Sequence, residues 1–163
     1  MVHSHIPNPP IAALDFEASS LEETGFPIEV AFALGDRTGV TAQFSTLIKP
    51  RPHWKGAKAW SGASQRIHGI SSSELEGGMD ADTVCYIMDA ALEGLEVMVD
   101  GGSFDTFWLQ RLYDGRQPKF SLDHLTQIDP ARFLALKQAT EPTHRALPDA
   151  LWLLRTTTSI IST

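Results

Sequence analysis

The sequence predicts a single α/β domain in which a mixed β-sheet is flanked by helices. Three segments of apolar and β-branched residues come first, and strands alternate with helical patterns in the rest of the chain. This order of elements is typical of a sheet that is covered by helices. The length of 163 residues and the hydrophobic content of 42% are enough for one hydrophobic core. The sequence contains no internal repeat and no low-complexity linker that would indicate a second domain.

Three strands are predicted in the N-terminal third of the chain. The first is the apolar run at residues 9–15, which ends at a carboxylate, and the next two lie at 28–34 and 40–48. The glycine-rich turn at 35–39 predicts that these two form a hairpin. Residues 49–64 contain several prolines and glycines, so we expect them to be mainly loop.

Four helices are predicted from apolar periodicity and from residues that favour helix ends. Asp80 or Asp82 is a suitable N-cap for the first helix, and Pro148 is tolerated in the first turn of the last. The predicted helices lie at about 80–92, 103–113, 131–138 and 148–155, with a short strand at 97–99. We therefore expect a domain at residues 10–155, an N-terminal extension at 1–9 and a frayed C-terminal tail at 156–163.

Composition excludes several classes of protein. The single cysteine, Cys85, excludes an internal disulfide framework, and no Cys/His cluster has the spacing of a zinc site. No apolar run approaches the ~20 residues that a membrane-spanning helix needs, and the first five residues lack a signal-peptide pattern. We therefore expect a soluble, cytoplasmic protein with no membrane partner.

The net charge of −7 limits how the protein can bind nucleic acid. The electrostatic attraction that drives strong non-specific binding to duplex DNA is therefore expected to be weak. The charge argues against long tracking along a duplex and is compatible with short or single-stranded ends.

Two acids lie at the end of the first predicted strand. Side chains alternate along a strand, so Asp15 and Glu17 project to one side and Phe16 projects to the other. Two carboxylates on one side can share a cation. Taken alone, the pair also fits a solvated surface position.

Two more acids and a histidine lie close to predicted helix ends. Asp105 is in the first turn of a helix, where an acid also interacts favourably with the helix dipole. His144 precedes the last helix and Asp149 lies inside it. An exposed loop histidine is often simply solvated. Together with the first pair, however, these residues can supply four carboxylates and one histidine to a single site. Two divalent metals held by four carboxylates, with a histidine beside them, are a common catalytic site for hydrolysis of a phosphodiester.

These residues form three motifs, which are Asp15-Phe16-Glu17, Phe104-Asp105 and His144-Arg145-Ala146-Leu147-Pro148-Asp149. Their order and separation resemble the DEDDh branch of the DEDD 3′→5′ exonucleases, which includes bacterial proofreading subunits and ribonuclease T-like enzymes. The segments at 15–21, 27–31 and 67–70 are also similar to segments of that family. The resemblance covers about residues 10 to 155. It implies a ribonuclease H-like exonuclease fold with a mixed five-stranded sheet.

The same resemblance implies a metal-dependent 3′→5′ exonuclease that releases nucleoside 5′-monophosphates from single-stranded DNA or RNA. Asp15, Glu17, Asp105 and Asp149 would hold two Mg²⁺ or Mn²⁺ ions, which would activate a water molecule and stabilise the leaving 3′ oxygen. His144 would accept the proton of that water. The substrate-binding residues that the resemblance implies are Phe16, Ser19, Leu21, His68 and Trp108.

Two departures from the family pattern make the substrate hard to name. Asp100-Gly101 stands where many relatives have His-Asn, which removes an amide and adds an acid near the predicted metal ligands. Ala18-Ser19-Ser20 stands where the family pattern has Thr-Thr-Gly. The choice between DNA and RNA depends on pocket geometry and stays open, as does the oligomeric state.

Three other interpretations also stay open at the level of sequence. The chain could be a catalytically degenerate relative that binds nucleic acid or a polymerase without cutting. It could hydrolyse a small nucleotide phosphate ester at the same metal site. It could also be an unrelated α/β domain in which the acids are structural. A proofreading role would require a separate polymerase or other protein partner.

Overall fold

A computed structural model describes residues 10–56, 58–125, 129–141 and 143–161, and these residues form a six-stranded sheet with helices on both faces. The strands are β1 (Ile11–Ala18), β2 (Pro27–Asp36), β3 (Gly39–Lys49), β4 (Met79–Asp80), β5 (Glu96–Val99) and β6 (Ser121–His124). Their order across the sheet is β4-β3-β2-β1-β5-β6. The pairs β1–β2 and β2–β3 are antiparallel, whereas β1–β5, β5–β6 and β3–β4 are parallel. The predicted mixed sheet is therefore confirmed.

The sheet has one strand more than the five that were expected. The short edge strand β4 pairs with β3 through only two residues, at Ile48–Met79 and Lys49–Asp80. A strand of two residues is too short to show an alternating pattern in sequence.

Five α-helices occur in the described residues. They are α1 (Gly62–His68), α2 (Ala81–Leu92), α3 (Ser103–Tyr113), α4 (Pro130–Gln138) and α5 (Ala146–Ile161). Asp80 caps α2 as predicted, because its side chain accepts hydrogen bonds from the backbone N–H groups of Asp82 and Thr83. The segment that was expected to be loop up to residue 64 instead begins α1 at Gly62, where Ser61 provides the N-cap.

The prediction that the last helix ends near Arg155 is wrong. Helix α5 continues to Ile161, and Thr156, Thr157 and Ile160 are buried. The three consecutive threonines after Arg155 have low helix propensity, which hides the continuation in sequence. Burial of this last turn against the rest of the protein outweighs that propensity. None of the helices in the described part of the chain is long and apolar enough to cross a membrane.

Strand β1 separates two layers of the core. Leu14 and Phe16 face the larger apolar cluster, which includes buried residues of α2 and α3. Ala13 faces the other side, where it joins a cluster with Leu153 and Leu154 of α5. Because the faces alternate along a strand, the side chains of residues 15 and 17 project towards the layer that contains α5.

Three alanines allow the first turns of α5 to lie close to the sheet. Ala31 of β2 forms a buried cluster with Ala146 and Ala150 of α5. Ala31 is also paired with Asp15 across the β1–β2 ladder. The N-terminal part of α5 is therefore held against the sheet next to the acidic end of β1.

We expect Ala150→Leu to destabilise the protein by about 1–3 kcal/mol, because the added methylenes must force α5 away from Ala31. Urea unfolding followed by circular dichroism measures the change. Ala135→Leu, at an exposed position of α4, is the matched control and should change stability by less than about 0.5 kcal/mol. Equal stabilities of the two variants would contradict a close packing of α5 on the sheet.

Candidate active site

Three carboxylates meet where the C-terminal part of β1 faces the start of α5. One carboxylate oxygen from each of Asp15, Glu17 and Asp149 lies within 4.8 Å of the other two. Asp15 and Glu17 come from alternate positions of β1, and Asp149 comes from the first turn of α5. Strand alternation and the alanine contact of α5 thus bring together acids that are more than 130 residues apart in sequence.

Asp105 is not one of the three clustered acids, although its charge acts on Asp15. It is buried in the first turn of α3, and its Oδ2 accepts a hydrogen bond of 2.7 Å from the backbone N–H of Gly101. The carboxylate folds over that glycine so closely that a Cβ at position 101 would lie 2.6 Å from Oδ2. Gly101, which departs from the family pattern, therefore leaves the space that this orientation of Asp105 needs.

The pKa values of Asp15, Glu17 and Asp105 are raised. Burial, followed by the charges of Glu17, Asp105, Asp100 and Asp149, raises the pKa of Asp15 well above its usual range. Burial, with the charge of Asp149 next, raises the pKa of Glu17 to about 8. Burial also raises the pKa of Asp105 to about 7, opposed by the hydrogen bond from Gly101.

The donor set fits a divalent cation. Asp15 Oδ2 is buried and has no hydrogen-bond partner among the described residues, although it faces two other acids. A buried carboxylate oxygen without a partner is costly, and a cation would remove both that cost and the mutual repulsion of the acids. Clustered carboxylate oxygens are the ligands that Mg²⁺ and Mn²⁺ prefer.

His144 lies on the short segment that leads into α5. Its side chain is exposed, and its backbone is left-handed with a φ of 53°. Thr143, the residue before it, donates hydrogen bonds to Asp149 Oδ1 from its hydroxyl at 2.8 Å and from its backbone N–H at 3.3 Å. The predicted base and the predicted metal ligand Asp149 are thus connected within one short segment.

Two of the five expected substrate-binding residues are part of the hydrophobic core. Phe16 and Trp108 are buried in the larger cluster, so neither ring offers a surface to a nucleotide. Trp108 instead lies against Phe104 and Phe107, with ring centroids at 6.3 Å and 4.7 Å. Leu21 differs from them, because 68% of its surface is exposed just after β1. Of these three apolar residues, Leu21 is the one available for contact with a substrate.

Ser19 and His68 are also buried, and both are bonded within the protein. The Ser19 hydroxyl donates to the carbonyl of Ala59 at 2.6 Å and accepts from the N–H of Phe26 at 3.0 Å. His68 Nδ1 accepts from the N–H of Ile70 at 3.0 Å, and burial lowers the pKa of its imidazole. The Ser19 side chain therefore joins the segments around Phe26 and Ala59, and the His68 side chain holds the C-terminal end of α1. The expected contact of either residue with a nucleotide stays a prediction.

Sequence reasoning missed two charged pairs beside the carboxylates. Glu29 of β2 is buried and receives a two-pronged hydrogen bond from Arg145, whose nitrogens lie 2.7 Å and 3.1 Å from its oxygens. Asp100 forms an ion pair of 2.9 Å with Lys137 of α4. The lone acid in the apolar run of residues 28–33 was a usable signal for Glu29, whereas the partner of Asp100 lies on a distant helix.

The overall fold is similar to that of several solved nucleases. A 3′-exonuclease described by its 3′-end specific recognition of a histone mRNA stem-loop superimposes with a TM-score of 0.72 at 13% sequence identity, over 94% of this chain and 81% of that chain. Exonuclease X, in complex with 5′ overhanging duplex DNA, has a TM-score of 0.65 at 20% identity, over 93% and 91%. Cell-death related nuclease 4 has a TM-score of 0.61 at 16% identity, over 96% of this chain and 64% of that chain.

No protein-family profile and no curated protein matches the sequence. The structural likeness covers nearly the whole chain and includes the mixed sheet with its flanking helices. The chain therefore has the ribonuclease H-like exonuclease fold that its three motifs implied.

The raised pKa of Glu17 predicts how the stability of the metal-free protein depends on pH. Between its ordinary value of 4.5 and about 8, the folded state keeps a proton that the unfolded state releases. This contribution makes the protein less stable as pH rises through that range. Glu17→Gln removes it, so the Tm of the variant in EDTA should rise relative to that of the unsubstituted protein as pH increases.

Thermal unfolding across this pH range, in EDTA and again in Mn²⁺, measures the effect. Mn²⁺ should raise the Tm of the unsubstituted protein more at pH 8 than at pH 5.5, because the cation must displace the proton. Glu96→Gln, at an exposed position of β5, is the control and should follow the unsubstituted protein. A Glu17→Gln curve parallel to that of the unsubstituted protein would contradict the raised pKa.

Proposed function

We propose that the protein is a metal-dependent 3′→5′ exonuclease of the DEDDh type that releases nucleoside 5′-monophosphates from single-stranded 3′ ends of DNA or RNA. The observation that carries the proposal is the cluster of Asp15, Glu17 and Asp149, in which a buried Asp15 oxygen has no hydrogen-bond partner among the described residues. A structural role for this cluster is disfavoured, because three adjacent acids destabilise a fold unless something binds them.

Asp15, Glu17 and Asp149 would hold the metal, and Asp105, whose charge acts on Asp15, would contribute after rotation away from Gly101. We propose two Mg²⁺ or Mn²⁺ ions, because a single cation leaves an excess of negative charge among four carboxylates. The chemistry that such ions supply is activation of water and stabilisation of charge on the phosphate. The protein groups must therefore position the ions and remove a proton.

His144 is the group that we assign to proton removal. It is exposed, it precedes α5 by two residues, and it lies on the same short segment as Asp149. An imidazole with solvent access can accept a proton from an attacking water and release it again. A buried histidine such as His68, whose Nδ1 is already hydrogen-bonded, would be unable to exchange a proton with solvent in this way.

The preference for a single-stranded end rests on charge and on Leu21. The chain carries a net charge of −7, which disfavours an extended electrostatic contact with a duplex. Leu21 presents an exposed apolar side chain beyond the end of β1, where a terminal base could pack against it. The similar 3′-exonuclease recognises a stem-loop RNA and Exonuclease X is bound to duplex DNA, so the fold accommodates both polymers.

We also propose a cytoplasmic location and a polymerase or other protein partner.

The proposal is tested by incubation of 5′-labelled DNA and RNA oligonucleotides of one sequence with Mg²⁺, Mn²⁺ or EDTA. We expect a ladder that shortens from the 3′ end, nucleoside 5′-monophosphates as products and no reaction in EDTA. Asp15→Asn should abolish cleavage, and His144→Ala should lower its rate by about 10²–10⁴. His53→Ala, which changes an exposed histidine paired with Asp114, is the matched control.

Other outcomes separate the alternative functions. Cleavage of a nitrophenyl ester of a nucleoside 5′-monophosphate, with intact oligonucleotides, would favour a hydrolase of small phosphate esters. Metal binding without cleavage of any substrate would favour a degenerate binding protein. If calorimetry detected no binding of Mn²⁺, the proposal that these acids hold a metal would be wrong.

Leu21→Ala should raise the KM for single-stranded oligonucleotides by about tenfold with little change in Tm. Loss of an apolar contact of this size is worth about 1.5–3 kcal/mol when the leucine is fully covered, and the exposed side chain contributes little to the fold. Leu134→Ala is the matched control, because Leu134 of α4 is also exposed. An unchanged KM would exclude contact between Leu21 and the terminal nucleotide.

A further inference from the structure

Glu29 makes an unusual contact for a residue in the middle of an apolar strand. It stands opposite Glu17 in the β1–β2 ladder and is buried. Its carboxylate accepts hydrogen bonds from Arg145 Nη2 at 2.7 Å and Nε at 3.1 Å, and from the backbone N–H of Ala146 at 3.0 Å. All of these partners belong to the segment that leads into α5.

This contact is well suited to hold a short segment in one position. A two-pronged arginine–carboxylate pair restricts both direction and distance, unlike a single hydrogen bond. Arg145 directly follows His144, and Ala146 begins α5 three residues before Asp149. A single buried carboxylate thus anchors the backbone between the proposed base and a proposed metal ligand.

The backbone of His144 requires such an anchor. Its φ of 53° lies in the left-handed region, which is uncommon for residues other than glycine and persists only where the surroundings hold it. The hydrogen bonds from Thr143 to Asp149 hold one side of His144, and the pair of Arg145 with Glu29 holds the other. The two contacts together hold the backbone from which the imidazole projects.

We propose that Glu29 and Arg145 are positioning residues that hold His144 in place for proton transfer, an inference that rests on the proposed exonuclease function. The side chain of Arg145 is 50% exposed, so direct contact with a substrate phosphate is the competing role. The two roles differ in measurable ways. A positioning residue acts through His144, whereas a phosphate contact acts through substrate affinity.

The first test is a double-mutant cycle with His144. At saturating Mn²⁺, Arg145→Ala should lower kcat on a single-stranded oligonucleotide on the order of 10- to 100-fold, with KM changed by less than about twofold. In the His144→Ala background the same substitution should change kcat by less than about twofold, because the residue it positions is absent. Arg37→Ala, at an exposed position of the β2–β3 turn, should have no effect in either background.

Conservative variants provide a second kinetic readout. Arg145→Lys keeps the charge but loses the two-pronged geometry, so it should retain only part of the lost rate. Glu29→Gln, like Arg145→Ala, should lower kcat when His144 is present and have little effect on kcat in the His144→Ala background. A raised KM with unchanged kcat, or equal effects with and without His144, would overturn the proposal in favour of a phosphate contact or a general structural role.

The third readout does not depend on activity. Hydrogen–deuterium exchange at residues 143–147 should accelerate at least severalfold in Arg145→Ala and less in Arg145→Lys, while exchange in β1 and β2 stays unchanged. If the protein fails to cleave nucleic acid, the proposed function fails, yet this measurement still shows whether the pair orders the segment. Unchanged exchange at 143–147 would overturn the positioning role by itself.

Discussion

The contact between three alanines of β2 and α5 determines where the acids of this protein meet. Ala31, Ala146 and Ala150 bring the first turns of α5 against the sheet, opposite the end of β1. Any larger side chain at this contact would increase the separation between helix and strand. The approach places Asp149 within 4.8 Å of Asp15 and Glu17, so close packing of small residues is what creates the charged cluster.

The cluster is costly for the fold, and the protein offsets part of that cost locally. Burial and mutual repulsion raise the pKa values of Asp15, Glu17 and Asp105. Two positively charged side chains oppose this repulsion. Arg145 lowers the pKa of Glu17, and Lys137 lowers that of Asp105. The remaining excess of acid is the property that suits the site to bind divalent cations.

The three motifs were sufficient to predict the fold, and the structure brings three of their acids together. Alternation in β1 put Asp15 and Glu17 on one face, and the capping residue of α2 and the extents of α3 and α4 followed from local patterns. The side chains of Phe16, Ser19, His68 and Trp108, for which the resemblance implied contacts with substrate, are all buried. Alternation in β1 already turned Phe16 away from the two acids, whereas no local pattern predicted the burial of Ser19 and His68.

The sequence by itself determined the order of elements, the two faces of β1 and the types of residue that can bind a metal, because these depend on local periodicity and side-chain chemistry. Only the tertiary structure decided that α5 continues to Ile161, that Asp105 folds onto Gly101, and that Glu29 binds Arg145. Each of these depends on contacts between residues that are distant in sequence or on the space left by a neighbour. No local pattern contains that information, since packing and burial are properties of the assembled fold.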